Sequence, residues 1–313
     1  MEGIGEFGMK DSPYFKQAQL MLRAMPHVTA EECFALKGGT AINLYVRDMP
    51  RLSVDIDLTY LPLEPRDMAL ANISEALHRI AAAIRKTVPG ATVQESRLRG
   101  AEHVSKLSVS TTEATIKIEP NLVLRGTVFS PVARELSEQA EILFEASAAA
   151  NTLAVADLYG GKLCAALDRQ HPRDIFDVKI LIENEGITDE IRTAFILYLV
   201  SHDRPMSELL DPNLKDFRHV FEREFTGMAA EEVEYEELAA IRDRLIETIR
   251  NTMTENEKKF LLSIKQGQPD WDLMPVAGID QLPAIQWKLI NIRRMKKEKQ
   301  AEALQKLQSV LGL

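Results

Sequence analysis

The sequence lacks several features that would assign it to a broad class of proteins at once. It has two cysteines, Cys33 and Cys164, which are too few for a disulfide framework or a cysteine-based metal cluster. No apolar run reaches the roughly 20 residues that a membrane-spanning helix needs. Acids outnumber Lys and Arg by 47 to 38, and the net charge of −9 disfavours indiscriminate binding to nucleic acid. We therefore expect a cytoplasmic, globular protein with no membrane partner, in which RNA binding would need a local basic patch.

Common catalytic signatures are missing as well. The chain has neither the Gly-rich loop ending in Lys-Ser/Thr of P-loop NTPases nor a Gly-x-Ser-x-Gly nucleophile elbow. Its six histidines are isolated in the sequence, so we assign none of them a catalytic role. Carboxylates and glycines remain as the candidates for a functional site.

One stretch, residues 37–57, combines a glycine turn with two aspartates and reads KGGTAINLYVRDMPRLSVDID. Gly38 and Gly39 lack Cβ atoms, so their backbone N–H groups can approach a phosphate closely. A helix predicted to run from Thr40 to Val46 begins at this turn, and helix N-termini attract anions. The pattern indicates a phosphate-binding turn.

A strand predicted from Leu52 to Leu58 follows the turn. Strand side chains alternate between two faces, so Asp55 and Asp57 are expected on the same face. Two neighbouring carboxylates repel each other unless a cation lies between them, and such oxygen ligands suit Mg²⁺ held jointly with substrate phosphates. A glycine pair alone is usually a turn, and Asp-x-Asp alone is usually an exposed edge. Carboxylates among apolar residues are rare unless paired or metal-bound, so the combination favours a functional site.

This combination resembles the nucleotidyltransferase superfamily, which has a Gly-Gly or Gly-Ser turn, an Asp-x-Asp strand and a third carboxylate on a later strand. More closely, KGGTAINL…RLSVDIDLTY resembles the AbiEii/AbiGii family of nucleotidyltransferase toxins from type IV toxin–antitoxin systems. The resemblance implies an α+β fold, with an N-terminal mixed sheet and flanking helices followed by an all-helical domain. We expect the sheet domain at 9–150 and the helical domain, completing the active-site cleft, at 151–313. Residues 1–8 are expected to be a vector-derived leader.

The third carboxylate is expected at Glu119. In the predicted strand 115–120, Thr115, Lys117 and Glu119 share one face. Glu119 is in position only if this strand lies beside the aspartate strand. The alternative is an ordinary polar residue that faces solvent.

A second block starts with a helix predicted from Thr152 to about Arg169. Gly160 and Gly161 inside it would each cost about 1 kcal/mol relative to Ala, which predicts close packing against another backbone or a nucleotide. By resemblance to the family's later motifs, Lys162 would contact nucleotide phosphates and Asp174 would be the late single Asp. The alternatives are a solvated lysine and an acid that interacts with a helix dipole.

An amphipathic helix is predicted over residues 66–86, from the helical spacing of its apolar residues Met68, Ile73, Leu77, Ile80 and Ile84. After the second block the chain is predicted to be helical, with helices over residues 189–201, 205–225, 231–251 and 255–265 and a last helix over residues 283–310. The polar face of this last helix carries a basic cluster, which could bind RNA or an acidic partner or simply be solvated. The cluster consists of Lys288, Arg293, Arg294, Lys296, Lys297 and Lys299.

The resemblance implies a Mg²⁺-dependent nucleotidyltransferase of the EC 2.7.7 type that uses an NTP as substrate. It implies that the acceptor is the tRNA 3′ end, so that translation and growth are inhibited, and that a cognate antitoxin protein or its operon is a partner. Two alternatives stay open: a protein or small-molecule acceptor, and a catalytically silent nucleotide-binding protein. The implied catalytic residues are Asp55, Asp57, Glu119, Lys162 and Asp174. The first three of these would hold two Mg²⁺ ions, and the implied nucleotide-binding residues are Gly38, Gly39, Thr40, Arg51 and Lys162.

Overall fold

The computed structural model describes residues 9–98, 100 and 102–313. The expected leader, residues 1–8, lies outside the described residues. The chain divides into two compact units, which we call the sheet unit and the helical unit. The sheet unit consists of residues 9–158 and Phe225–Glu232, and the helical unit of Tyr159–Glu224 and Val233–Leu313. The helical domain was expected to begin at residue 151, whereas this division keeps residues 151–158 in the sheet unit.

The sheet unit is built on one mixed β-sheet. Its strands are β1 (Phe34–Lys37), β2 (Ile56–Tyr60), β3 (Thr92–Arg97), β4 (Val104–Ser110), β5 (Thr115–Asn121), β6 (Val132–Glu135) and β7 (Ala149–Thr152). Within the described residues the order is β3-β4-β5-β2-β1-β7-β6. β2 is parallel to β5 and β1 is parallel to β7, while the other neighbours are antiparallel. The α-helices of this unit are α1 (Phe15–Thr29), α2 (Gly38–Ala41), α3 (Arg66–Thr87) and α4 (Glu138–Phe144). A π-helical segment, Ile42–Val46, continues directly from α2 and completes the helix predicted over residues 40–46.

Helix α3 corresponds to the amphipathic helix predicted over residues 66–86. Residues three and four apart share one helical face, and Ile73, Leu77, Ile80 and Ile84 are all buried in the core. Met68, the first apolar position of the predicted face, is 57% exposed. The helix therefore covers the sheet with its later turns.

The aspartate strand begins later than predicted. The prediction was a strand from Leu52 to Leu58, but β2 starts at Ile56. The backbone N–H of Leu52 donates to the carbonyl of Met228 at 2.8 Å, and Arg51 forms an isolated bridge with Ala229. The segment before β2 is therefore paired with residues distant in sequence, which no local pattern could indicate.

The helical unit contains the predicted run of helices, with α5 (Val155–Arg169) beginning in the sheet unit. The others are α6 (Pro172–Asn184), α7 (Asp189–Ser201), α8 (Met206–Leu210), α9 (Arg218–Glu224), α10 (Tyr235–Thr252), α11 (Glu255–Gln266), α12 (Pro283–Arg293) and α13 (Lys297–Leu311). This helical region and the mixed sheet confirm the α+β fold expected from the sequence. Among the described helices, none combines the length and the apolar character needed to cross a membrane.

Two long helices predicted in this unit are each divided in the structure. The prediction for residues 205–225 was wrong because Pro212 lacks an N–H and disfavours a helical conformation at Asp211, which adopts φ −133° and ψ 70°. The predicted final helix turns at residues 294–296. After this turn, Gln300 of α13 donates to the carbonyls of Lys265 and Gln266 at the end of α11, at 3.1 and 3.0 Å.

The glycine pair in α5 is explained by helix packing within the helical unit. A Cβ on Gly160 would lie 2.7 Å from the Cβ of Ala194 and 2.8 Å from the backbone N of Phe195, both in α7. A Cβ on Gly161 would be 3.6 Å from the ring of Tyr198, an ordinary contact. Of the two alternatives for this pair, close approach to another backbone is therefore the one that the structure shows at Gly160.

We expect Gly160→Ala to destabilise the protein and Gly161→Ala to leave it unchanged or slightly more stable. The first change forces α5 and α7 apart, at a cost of about 1–3 kcal/mol for overpacking. The second gains helix propensity of up to about 1 kcal/mol without a collision. Urea unfolding of both variants checks this, and equal stability of the pair would contradict the packing argument.

Candidate active site

The glycine turn, Asp57 and Glu119 lie beside one another at the centre of the sheet, where β1, β2 and β5 are adjacent. β1 ends at Lys37, which pairs with Asp57 in the antiparallel β1–β2 ladder. β5 lies on the other side of β2 and runs parallel to it, with Glu119 opposite Asp57. The condition on which Glu119 was chosen, a strand next to the aspartate strand, is therefore met.

The turn after β1 lies directly against Asp57. Gly38 has φ +73°, a left-handed conformation that side chains other than glycine rarely adopt. A Cβ on Gly38 would lie 2.6 Å from the Oδ2 atom of Asp57, and a Cβ on Gly39 would lie 2.5 Å from Nη2 of Arg51. Gly38 is thus required by its positive φ and by the close approach to Asp57, whereas the contact at Gly39 is with the end of an arginine side chain. The backbone of the turn borders the Asp57 carboxylate.

Thr40 connects the turn to the residue preceding β2. Its buried hydroxyl donates to the backbone carbonyl of Asp55 at 2.5 Å and lies 2.8 Å from the hydroxyl of Ser53. The side chain of Thr40 therefore holds the backbone at Asp55. Any contact of Thr40 with a phosphate would fall to its backbone N–H.

Arg51 supports the turn from behind. Its side chain is 2% exposed, and its Nη1 donates to the carbonyl of Leu52 at 2.8 Å. Arg51 is therefore not a solvent-exposed surface arginine. Its contact with nucleotide stays a prediction, and its observed neighbour is the backbone at Gly39.

Glu119 has a cationic partner that the sequence analysis missed. The Nζ of Lys106 lies 2.5 Å from Oε1 of Glu119, whose side chain is 39% exposed. β4 and β5 are antiparallel with Leu107 opposite Ile118, which places Lys106 opposite Glu119. Aligning the predicted strands 104–110 and 115–120 as an antiparallel pair would have placed Lys106 opposite Glu119. In this arrangement the Glu119 carboxylate is partly neutralised by an ion pair.

The carboxylates do not form a complete metal shell by themselves. Among the described residues, no group of three His, Cys, Asp or Glu side chains is placed to hold a metal ion. Mg²⁺ commonly takes only one or two protein carboxylates, together with waters and substrate phosphates. The half-buried Asp55 and Asp57 fit such a partial set, because a phosphate held at the Gly38 turn would lie beside Asp57. Glu119 as an additional ligand stays a prediction.

A second group of charged residues lies within the helical unit. Lys162 is 7% exposed, and its Nζ lies 2.8 Å from Oδ1 of Asp174 and 2.9 Å from Oδ2 of Asp177. Arg169, seven residues after Lys162, also forms an ion pair with Asp174. The alternative of a solvated lysine is excluded. Asp177 was not among the predicted site residues, although it lies three residues after Asp174 and so on the same face of α6.

The pKa of Asp174 reflects this environment. Burial by itself would raise the pKa of the carboxyl, but the charges of Lys162 and Arg169 outweigh it and hold the pKa below the ordinary value. Asp174 is therefore ionised at neutral pH. The carboxylates of Asp174 and Asp177 are 1% and 0% exposed, so each depends on these cations for compensation of its charge.

Comparison with known proteins agrees with this architecture. The solved structure of MenT4, a nucleotidyltransferase toxin from Mycobacterium tuberculosis H37Rv, aligns with 96% of both chains at a TM-score of 0.60 and 15% sequence identity. At this identity the likeness shows a shared fold, that of a nucleotidyltransferase toxin. No curated protein matches the chain.

The chain also matches the sequence model of a protein family. The model for the nucleotidyl transferase AbiEii toxin of type IV toxin–antitoxin systems matches residues 19–291, and the protein belongs to this family. The family expected from the sequence is therefore confirmed. Membership implies nucleotidyl transfer from an NTP and an antitoxin as partner.

We expect Gly38→Ala to lower both stability and nucleotide transfer more than Gly90→Ala does. Gly90 has the same φ of +73° but no atom within 4 Å of its added Cβ. Gly90→Ala therefore measures the cost of backbone strain alone, without the collision with Asp57. Strain alone costs about 1–3 kcal/mol. Urea unfolding and transfer assays on both variants check the difference. Indistinguishable variants would show that the approach to Asp57 is unimportant.

We expect Asp174→Asn to lower the free energy of unfolding at pH 7 by about 3 kcal/mol, as breaking a buried ion pair does. Because the folded-state pKa of Asp174 is lowered, its contribution is complete above the unfolded-state pKa of about 3.9 and is lost as pH falls below it. The stability gap, which is the difference in the free energy of unfolding between wild type and variant, should therefore shrink by about 1.4 kcal/mol per pH unit between about pH 4 and pH 2.

Urea unfolding at a series of pH values measures this gap. The exposed Asp272 supplies the matched control, since Asp272→Asn should leave the gap to wild type near zero at every pH. A gap for Asp174→Asn that is independent of pH would argue against a lowered pKa.

Proposed function

We propose that this protein transfers a nucleotide from an NTP to the 3′ end of tRNA, releases pyrophosphate and thereby inhibits translation and growth. The proposed reaction is Mg²⁺-dependent, of the EC 2.7.7 type, and takes place in the cytoplasm, where tRNA is used. The observation that carries the proposal is the backbone turn at Gly38 lying against Asp57, with Glu119 opposite. This arrangement supports a phosphate group and a cation side by side.

The turn is proposed to bind the outer phosphates of the NTP. Gly38, Gly39 and Thr40 lie at the start of α2, where backbone N–H groups lack partners within the helix. The nearby Arg51 guanidinium adds positive charge behind the turn. Because Thr40 and Arg51 are both buried, the turn is held in place before the nucleotide binds, which favours positioning of the phosphates.

Asp55 and Asp57 are proposed to hold Mg²⁺ together with the phosphates, with Glu119 as the third carboxylate. When bound, two such ions supply charge stabilisation of the transferring group and activation of the acceptor hydroxyl. The Thr40 hydroxyl holds the backbone at Asp55, and the β1–β2 ladder holds Asp57. Lys106 would have to release Glu119 before the carboxylate could bind a cation fully.

Lys162 and Asp174 are proposed as further catalytic residues from their match to the family motifs. In the proposal the Lys162 ammonium contacts nucleotide phosphate. Asp174 and Asp177 hold this ammonium in one position through the buried ion pairs. A fixed point charge of this kind serves phosphate binding better than a freely rotating lysine.

Incubation of the purified protein with total tRNA, Mg²⁺ and each labelled NTP in turn tests the proposal on a denaturing gel. We expect label in the tRNA band for wild type and a loss of about a hundredfold or more in Asp55→Ala, since electrostatic stabilisation of the transition state is removed. Asp67→Ala is the matched control, because Asp67 is an exposed aspartate of the same unit. Its labelling should equal that of wild type.

The other outcomes separate the competing functions. Label on protein or on a small molecule, without label in tRNA, would replace tRNA as the acceptor. Measurable NTP binding without label in any product would favour a catalytically silent nucleotide-binding protein. Full transfer by Asp55→Ala, or growth arrest on its expression equal to wild type, would contradict the chemistry assigned to the site.

A further inference from the structure

The turn between α12 and α13 exposes basic residues, and an aromatic ring is exposed two helical turns earlier on α12. We call this the junction surface, and all of its members belong to the helical unit. Trp287 is 55% exposed and Ile290 is 38% exposed, while the four cations around the turn are exposed as well. The junction surface consists of Trp287, Ile290, Arg294, Lys296, Lys297 and Lys299.

The cations of the junction surface are not neutralised within the described part of the chain. Most other arginines of the helical unit form ion pairs with carboxylates, as Arg192, Arg204 and Arg250 do. Arg294 and the three lysines have no such partner among the described residues. In a protein with a net charge of −9, this leaves a local positive field that an anion can neutralise.

Two other members of the predicted basic cluster serve the fold instead. Lys288 donates to the backbone carbonyls of His202 and Arg204 at 2.5 and 3.0 Å. Arg293 donates to the carbonyl of Gly267 at 3.1 Å. The structure thus separates the cluster into cations used for packing and cations left for a ligand.

The placement of the lysines is unfavourable for α13 itself. Lys296 is the N-cap residue, and Lys297 and Lys299 lie in the first turn, where the one acid is Glu298. The cations therefore outnumber the acid three to one at this helix start. Cations at a helix N-terminus oppose the helix dipole, whereas acids there would stabilise the helix. Helix stability therefore does not account for these lysines, and their combined field attracts an anion.

Trp287 and Arg294 are placed to act together. They are seven residues apart, two helical turns, and Arg294 keeps a helical backbone conformation at the end of α12. They therefore lie on one face, separated by about 10 Å along the helix axis. An exposed aromatic ring next to unpaired cations is the combination that binds single-stranded nucleic acid, through base stacking and phosphate contacts.

We propose that the junction surface docks the RNA acceptor, with Arg294 and the three lysines on phosphates and Trp287 stacked on an unpaired base. The inference rests on the proposed function, since it names where the acceptor of that reaction binds. Charge complementarity favours RNA as the occupant, because cations without a carboxylate partner among the described residues follow an exposed aromatic ring on which a base can stack.

Fluorescence anisotropy with labelled total tRNA, without NTP, tests the docking separately from the reaction. The junction variant is Arg294→Gln/Lys297→Gln/Lys299→Gln. The control variant is Arg244→Gln/Lys259→Gln/Lys306→Gln, which removes one Arg and two Lys from exposed positions of the same unit. Both variants lose the same charge, so any difference between them comes from position.

We expect the control variant to bind tRNA as wild type does and the junction variant to bind about tenfold or more weakly at low salt. The slope of log K against log salt should fall by about two to three in the junction variant, one contact per lost cation. Trp287→Ala should weaken binding about fivefold or more at every salt concentration with an unchanged slope, because stacking is not electrostatic. In the transfer assay, the junction variant should raise KM for tRNA with little change in kcat.

Equal tRNA binding by the two triple variants would overturn the proposal and favour an acidic protein as the occupant of this surface. The proposed function would survive that result if wild type still labels tRNA. Absence of tRNA binding by wild type at low salt, with transfer of label to another acceptor, would overturn both. Circular dichroism and urea unfolding confirm that each variant is folded.

Discussion

The close contact between the turn at Gly38 and the carboxylate of Asp57 is the constraint on which the candidate active site depends. It requires a residue without a Cβ, with a positive φ, at the end of β1. It also requires β2 to begin beside that end, which the antiparallel β1–β2 ladder provides. The turn backbone proposed to bind phosphate and the carboxylate proposed to bind Mg²⁺ are thereby adjacent.

Buried polar groups keep this arrangement in place. Thr40 ties the turn to the backbone at Asp55, and Arg51 fills the space behind Gly39. Burying a hydroxyl or a guanidinium without partners would be costly. These contacts therefore favour the observed position of the turn over alternative positions. The helical unit uses the same principle, with Lys162 between two buried carboxylates. In both units, charged groups with a proposed role in the chemistry are also part of the fold.

Charge is distributed unevenly over an acidic protein. Arg192, Arg204 and Arg250 are paired with carboxylates, whereas the cations of the junction surface have no carboxylate partner in the part of the chain that the structure describes. An acidic protein that acts on a polyanion must overcome general repulsion through a local positive field. An active site for nucleotides and a separate basic surface for RNA would satisfy that requirement, and they would also allow binding and transfer to be varied independently.

The sequence by itself determined the α+β class, the amphipathic face of α3, the family, and the candidates Asp55, Asp57 and Glu119, because these depend on local spacing and on motifs. Only the tertiary structure decided that Glu119 lies opposite Asp57, that Lys106 pairs with it, that Arg51 is buried, and that Gly160 packs against α7. It also moved the start of β2 to Ile56, because Leu52 pairs with Met228. Pairing between residues far apart in the chain is set by the packing of whole helices and strands. A local sequence pattern therefore does not indicate it.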